Sequence, residues 1–293
     1  MAFAVMIEDL LSPQLGDKIE KAITSISRHK GVVVALSAGV DSSLVALLAR
    51  KALGDRSVAV TALSESLPPG ELEIAEKTAE RIGIRHIIVR TDEVHNPSYS
   101  SNPSNRCFYC KDTLYNELTS IASSLGFETL LDGTQKDDLT DDRPGFLAAR
   151  NYGVKSPLLE AGFSKRDVRD AAKALGLSVW DKPAMPCLSS RIPHGEEVTE
   201  DKLRMVGEAE LFIKNLTKVS ELRVRYHNGS ARVEVAPEDQ HLLLDQGTMD
   251  VVNRHLGDLG FTSVTMDPRG YRRKESLASV GAEMMLPMAE SGA

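Results

Sequence analysis

The sequence has 293 residues, 42% of them hydrophobic and 26% charged, with a formal net charge of -7. These proportions are those of an ordinary globular chain, long enough for one large or two ordinary domains with a full core. The acidic balance argues against a chain whose main task is to hold a nucleic-acid backbone, and no stretch approaches the roughly 18 apolar residues of a membrane span.

The first residues, Met1 to Glu8, carry no basic region and no long apolar stretch, so no signal peptide is expected. Three cysteines are too few for a disulfide framework. The expected compartment is a reducing cytoplasm, where cysteines serve as ligands or reactive groups.

In chain order, Val32 to Leu36 is an apolar run suited to a buried parallel strand. Ser42 to Leu53 is Leu- and Ala-rich at helical spacing and closes at Gly54. Val58 to Leu63 reads as a second strand, Glu71 to Ile82 as a helix ended by Gly83, and His86 to Val89 as a third strand. A helix over Cys107 to Leu125 stops at Gly126, and Leu130-Leu131 begins a fourth strand. Lys165 to Leu175 is a helix with Ser164 as N-cap and Gly176 at its end, and Val179-Trp180 reads as a fifth short strand. Alternating strands and helices predict an α/β fold, a doubly wound parallel sheet with right-handed crossovers, over residues 1–183.

After Pro183 the rhythm changes. Val198 to Asn215 is a long helix that Thr199 can cap. Leu222 to Tyr226 and Arg232 to Val235 alternate apolar with polar residues, and Asn228-Gly229 between them is a strong hairpin signal. Glu238 to Leu256 reads as one helix and Ser263 to Met266 as a further strand. Residues 184–275 are therefore expected to form a smaller α+β domain. Residues 276–293 are expected to be a flexible, frayed tail.

Ser37-Ala38-Gly39-Val40-Asp41-Ser42-Ser43 follows a strand and opens a helix. Small residues let the backbone approach a ligand, and a helix N-terminus offers unpaired N–H groups to phosphate. The Gly-Lys-Ser/Thr ending of a Walker A loop is absent. A plain strand-to-helix turn with a serine cap is the alternative. The segment resembles the Ser-Gly-Gly-x-Asp-Ser loop of the PP-loop ATP pyrophosphatase superfamily, with Ala38 where that pattern has Gly. The methyl group there is expected to narrow the pocket or to demand a different backbone angle. Asp132-Gly133-Thr134, with Asp137, Asp138 and Asp141, ends the fourth strand and precedes Arg143-Pro144-Gly145. It is expected to face the same crevice, with aspartates able to hold Mg²⁺.

Cys107-x-x-Cys110 opens a helix, and Cys187 lies in Pro186-Cys187-Leu188-Ser189-Ser190-Arg191. A zinc site would need a histidine beside the three cysteines; a thioredoxin-like pair, three unrelated buried thiols, and a 4Fe-4S cluster on three thiolates are the other readings. The order of these motifs, followed by the Arg223-Val-Arg225 and Ala231-Arg-Val-Glu234-Val strands, resembles the LarE family over about Gly31 to Glu238. These are ATP-dependent sulfur transferases of nickel-pincer nucleotide biosynthesis, the cofactor of lactate racemase.

The resemblance implies that ATP with Mg²⁺ binds at Ser37, Gly39, Asp41, Ser42, Ser43, Gly133 and Thr134. It implies adenylylation of pyridinium-3,5-biscarboxylic acid mononucleotide and replacement of the adenylate by sulfur. Cys187 matches the sulfur-donor cysteine, which in some members is itself consumed. Members with the additional Cys-x-x-Cys pair look like cluster enzymes, so Cys107, Cys110 and Cys187 would hold a 4Fe-4S cluster. Arg223 and Arg225 match substrate-phosphate arginines, Ser190 and Arg191 would orient substrate, and Glu210 and Glu234 match a divalent-cation site. The Glu210–Arg223 spacing is one residue longer than the family's. The resemblance also implies a homo-oligomer. A 4Fe-4S tRNA thiolase of the same superfamily is the main alternative, supported by the basic run Arg269 to Lys274; an amidotransferase-type synthetase and a nucleotide sensor are the others.

Overall fold

A computed structural model describes residues 12–140, 144–219 and 221–271. Asp141 and Arg143, the basic residues from Arg272 to Lys274, and the expected tail 276–293 lie outside the described residues. The chain divides into two compact units, one up to Glu208 and one from Ala209.

In the first unit the strands are β1 (Val32–Ala35), β2 (Ser57–Leu63), β3 (Arg85–Arg90) and β4 (Thr129–Leu131), in sheet order β3-β2-β1-β4. Every pairing is parallel. The helices are α1 (Pro13–Ser27), α2 (Val40–Leu53), α3 (Glu71–Ile82), α4 (Pro97–Ser100), α5 (Arg106–Ser124), α6 (Gly145–Asn151), α7 (Pro157–Glu160), α8 (Lys165–Ala174) and α9 (Glu200–Thr217), whose last residues pass into the second unit. Successive residues of β1 point to opposite faces. Val32 and Val34 pack with Ile26, Leu44, Leu48, Ala75 and Val168, from α1, α2, α3 and α8. Val33 packs with Tyr115, Leu118 and Ala148, from α5 and α6. Helices thus cover both faces, which is why β1 carries no polar residue.

The sequence reading does not contain α1, although its start signal is plain. Ser12 caps it by accepting from the Leu15 amide, Pro13 follows, and Leu15, Ile19, Ala22 and Ile26 form its buried stripe. The expected strand at Val179-Trp180 is a turn instead: the Trp180 amide donates to the Leu177 carbonyl, and the sheet has four strands. Gly83 ends α3 at φ 71°, in the left-handed region that glycine enters at no steric cost.

In the second unit β5 (Leu222–His227) and β6 (Ser230–Val235) form the expected antiparallel hairpin. Asn228 and Gly229 both have positive φ, 46° and 82°, as its tight turn requires. α10 (His241–Leu244) and α11 (Gln246–Asp258) replace the single helix expected over 238–256. The break falls at Asp245, whose carboxylate leaves helical geometry to cap α11 through the Thr248 amide. β7 (Ser263–Met266) pairs parallel with β6. Among the described residues no helix is long and apolar enough to cross a membrane.

Ser164 caps α8 in a full capping box with Asp167, and Asp167 also takes Lys18 of α1 at 2.7 Å. Burial alone would raise the Asp167 carboxyl, but Lys18 and the Ser164 hydroxyl and amide hold it at about 2 against an ordinary 3.8. A carboxyl held low stabilises the fold above a pH of about 4 and loses that contribution as pH falls toward about 2. Asp167→Asn is expected to lower stability at neutral pH and to flatten this acid limb, measured by urea unfolding across a pH series.

Candidate active site

The chain leaves β1, passes outward through β2 and β3, and returns to β4 on the other side of β1. A parallel sheet opens a crevice at the carboxyl ends of its strands where the order reverses in this way. The loop after β1 and the block after β4 meet there. A Cβ added to Gly133 would lie 2.7 Å from the Ser42 amide nitrogen and 3.0 Å from the Asp41 carbonyl carbon, so Gly133 rests on the first turn of α2.

Within the loop, the Ser37 amide donates to Ser42 Oγ at 3.1 Å, and Ser42 Oγ donates to the Gly39 carbonyl at 3.1 Å. Gly39 is the N-cap of α2 and uses no side-chain cap, so the first amides of the helix stay available to a ligand. Ala38 sits at φ 58°, fully buried. A methyl in the left-handed region costs about 1–2 kcal/mol, so the departure from glycine falls on the backbone angle. Lys182 Nζ donates to the Ala38 carbonyl at 3.0 Å while pairing with Glu71 at 2.6 Å, which pins the turn from outside. Asp41 Oδ2 accepts from Lys165 at 2.5 Å, whereas Asp41 Oδ1 and Ser43 Oγ are buried with no hydrogen-bond partner.

The aspartates after β4 build the loop itself. Asp132 Oδ1 accepts from the Thr134 amide and from Ser156, and Oδ2 accepts from Thr134 Oγ1. Asp138 accepts from the Gln135 amide and Asp137 from the Lys165 amide. Among the described residues no group of three or more His, Cys, Asp or Glu stands close enough to hold a metal ion. These contacts engage Asp132, Asp137 and Asp138 within the loop, Asp141 lies outside the described residues, and Asp41 Oδ1 is a buried carboxylate oxygen without a hydrogen-bond partner.

Cys107 is exposed and Cys110 and Cys187 are partly buried, and the charge of each acts on its neighbours. Burial pushes the Cys110 thiol well above its ordinary range, and Glu93, Cys187 and Cys107 add to the rise while Lys111 opposes it. Burial also pushes Cys187 up, against the pull of the Arg106 and Arg191 guanidiniums, with Cys107 adding to the rise. Thiols held neutral in this way are poor nucleophiles alone and become thiolates when a cation arrives to replace the proton. Two segments are clasped to make this group. Asn102, in the left-handed region at φ 55°, donates its amide to the carbonyls of Ile192, Pro193 and Glu196 and accepts from Arg106 Nη1. The Leu188 amide donates to the Ser66 carbonyl at 2.8 Å. Arg191, 1% exposed, donates to the Pro186 and Cys187 carbonyls and to Ser190 Oγ, and so braces the Cys187 loop from within.

The cysteine and nucleotide segments are tied together. Lys111 donates to Tyr115 Oη at 3.3 Å and Tyr115 Oη to Asp132 at 3.4 Å, running from the cysteine helix α5 to β4. Gly145 packs against Lys111 and the Cys107 carbonyl. Lys182, on the Ala38 carbonyl, is five residues from Cys187, a span that extended chain covers in at most about 18 Å.

In the second unit, Arg225 Nε and Arg232 Nη2 bind the two oxygens of Glu234 at 3.0 and 3.1 Å. Arg223, opposite Glu234 in the ladder, is 4% exposed and lies over the Tyr271 ring at 4.9 Å. Glu210 accepts the Val224 amide at 3.0 Å, between the two arginines of β5. Sequence reasoning did not single out Glu93, Asn102, Arg106, Lys165 or Tyr115. Each is a polar residue in a segment that reads as surface loop or helix, and only the fold turns it inward.

The reversal of a parallel sheet, with a serine-lined turn running into a helix, defines an ATP-using domain of the PP-loop class, and residues 12–107 match the family model of NAD synthase. The chain is 43% identical to an uncharacterised protein of Synechocystis, over 88% of this chain and 96% of that one. It is 37% identical to the pyridinium-3,5-bisthiocarboxylic acid mononucleotide synthase of Lactiplantibacillus plantarum, over 88% of this chain and 93% of that enzyme. It is 28% identical to one of the polypeptides of the glutamine-hydrolyzing GMP synthase of Pyrococcus horikoshii, over 71% of this chain and 72% of that polypeptide. The chain belongs to the family of pyridinium-3,5-bisthiocarboxylic acid mononucleotide synthase, LarE, and is an enzyme.

Because Gly133 touches backbone rather than a movable side chain, Gly133→Ala must push the β4 block off α2. A loss of about 1–3 kcal/mol in stability is expected, with a parallel loss of ATP binding, by thermal melting and by nucleotide titration.

Proposed function

We propose that the protein uses ATP to adenylylate the carboxylates of pyridinium-3,5-biscarboxylic acid mononucleotide and converts them to thiocarboxylates, with sulfur delivered at a 4Fe-4S cluster held by Cys107, Cys110 and Cys187. One observation carries this reading. Buried polar groups in folded proteins are nearly always paired. Here the buried side-chain atoms without a partner, among the described residues, are Asp41 Oδ1 and Ser43 Oγ at the nucleotide loop and Glu93 Oε2 and Arg106 Nε beside the cysteines. Both spots are made for ligands of high charge. Three thiolates suit an iron–sulfur cluster better than a lone ion, since a cluster spreads its ligands wider.

In this reading the first amides of α2 and the hydroxyls of Ser37, Ser42 and Ser43 receive the ATP phosphates, with Gly39 leaving room for their approach. Asp41 takes Mg²⁺, and Gly133 and Thr134 close the other wall. A substrate carboxylate oxygen attacks the α-phosphorus and pyrophosphate leaves. An anionic sulfur then attacks the acyl carbon of the resulting mixed anhydride; the carbon–oxygen bond breaks and AMP departs. When bound, the cluster supplies a sulfide on the iron that no cysteine ligates. Ser190 and Arg191 orient substrate, Arg191 by way of the Cys187 loop that it braces. Arg223 and Arg225 take the mononucleotide phosphate by guanidinium forks; Glu234, whose two oxygens are held by Arg225 and Arg232, does not fit the divalent cation that the resemblance implies for it and Glu210. ATP chemistry is assigned to residues 1–183 and the mononucleotide phosphate to residues 184–275. The same reading makes the protein a cytoplasmic homo-oligomer.

Pyrophosphate release is expected to depend on the pyridinium mononucleotide; release that depends on tRNA instead would transfer the protein to the thiolases. Protein purified without oxygen should be brown, and Cys107→Ala should bleach it. A colourless protein whose Cys187 loses the mass of one H₂S per turnover would assign the sulfur to Cys187 itself. Arg223→Ala is expected to weaken mononucleotide binding by about tenfold or more while leaving ATP binding unchanged, by calorimetric titration of each; equal loss of both would contradict its role.

A further inference from the structure

Glu93 follows β3 in a short 3-10 turn and is 3% exposed. Its Oε1 accepts from Ser64 Oγ at 2.7 Å and from Ser66 Oγ at 3.1 Å. Its Oε2 is buried with no partner, and no Lys or Arg pairs with it among the described residues. The carboxylate lies close enough to Cys110 and to Tyr99 for its charge to act on both. Ser66, which fixes Oε1, also carries the carbonyl that holds the Leu188 amide, one residue past Cys187. The Glu93 turn packs against α5, the helix that carries Cys110, and Glu93 reaches the Cys187 loop through Ser66.

A lone carboxylate in such a place is costly. Burial strips it of water, and the neighbouring sulfurs repel it once they are thiolates. Two hydroxyl donors on one oxygen compensate only part of that. A cation between the carboxylate and the thiolates would reverse the sign of every term. Three cysteines leave one iron of a four-iron cluster without a protein ligand, and a carboxylate oxygen can coordinate iron.

We propose that Glu93, through Oε2, is the resting ligand of the iron that the three cysteines leave open, and that inorganic sulfide displaces it there. This rests on the cluster reading above. The exchange moves no electrons: the iron–oxygen bond breaks, an iron–sulfur bond forms, and hydrosulfide replaces carboxylate as one anion for another. The serine pair keeps Oε1 fixed throughout, so the displaced carboxylate stays beside the sulfur it admitted.

The test uses the full chain, reconstituted with iron and sulfide without oxygen, as wild type, Glu93→Ala and Glu93→Gln. Iron content, melting temperature, the Mössbauer spectrum and sulfide binding are read for each. In the wild type one iron should differ from the other three. In Glu93→Gln, which keeps an oxygen at the serines, that iron's signal should change and sulfide should saturate the cluster at about one-tenth of the wild-type concentration. Glu93→Ala should shift both in the same direction; loss of iron at an unchanged melting temperature would likewise mark a lost ligand. Variants that match wild type in both the distinct iron and the sulfide affinity would overturn the proposal. A wild-type protein that takes up no iron would instead overturn the cluster reading beneath it.

Discussion

The pairing of β1 with β4 is the contact on which the rest of the first unit depends. Val32, Val33 and Val34 stand in register with Thr129, Leu130 and Leu131, although some ninety residues of chain separate the two strands. That register brings the turn after Ala35 and the block after Leu131 to the same level of the sheet. The candidate nucleotide loop is then a short extension of a strand end. The pairing holds because β1 is apolar on both faces and is covered on both. A polar residue at any of these three valines would have to be buried without a partner.

From that level the structure works outward by tethers. Lys182 reaches the Ala38 carbonyl from the chain that leads to Cys187, and Tyr115 joins the cysteine helix to Asp132. Asn102 draws the Cys187 loop onto the segment before Cys107 with one side-chain amide. These hydrogen bonds tie the candidate site loops to one another and to the sheet. Among the described residues, the buried side-chain atoms without a hydrogen-bond partner are Asp41 Oδ1 and Ser43 Oγ in the turn after β1, and Glu93 Oε2 and Arg106 Nε near the cysteines; an interior rarely leaves such groups unpaired.

Much of this was legible in the residues. The serine turn after an apolar run, the Asp-Gly-Thr block, the hairpin at Asn228-Gly229 and the capping box at Ser164 each state their geometry locally, and the fold uses them as written. Val179-Trp180 misled because a β-branched residue beside an aromatic suits a strand, yet two residues have no ladder to join and become a turn after Leu177. The helix expected over 238–256 failed at Asp245, where the side chain prefers capping an amide to continuing a spiral. The inward residues were harder. Glu93 and Arg106 are charged and look like surface in a linear reading, and only the closing of β3 and α5 around the cysteines puts them where charge is expensive.

The ammonium of Lys182 is shared by two masters. It grips the carbonyl of a strained alanine and the carboxylate of Glu71 at once, with little exposure to water. Any movement of the turn at Ala38 therefore acts on an ammonium that sits five residues before Cys187, so the two segments are joined mechanically as well as along the chain.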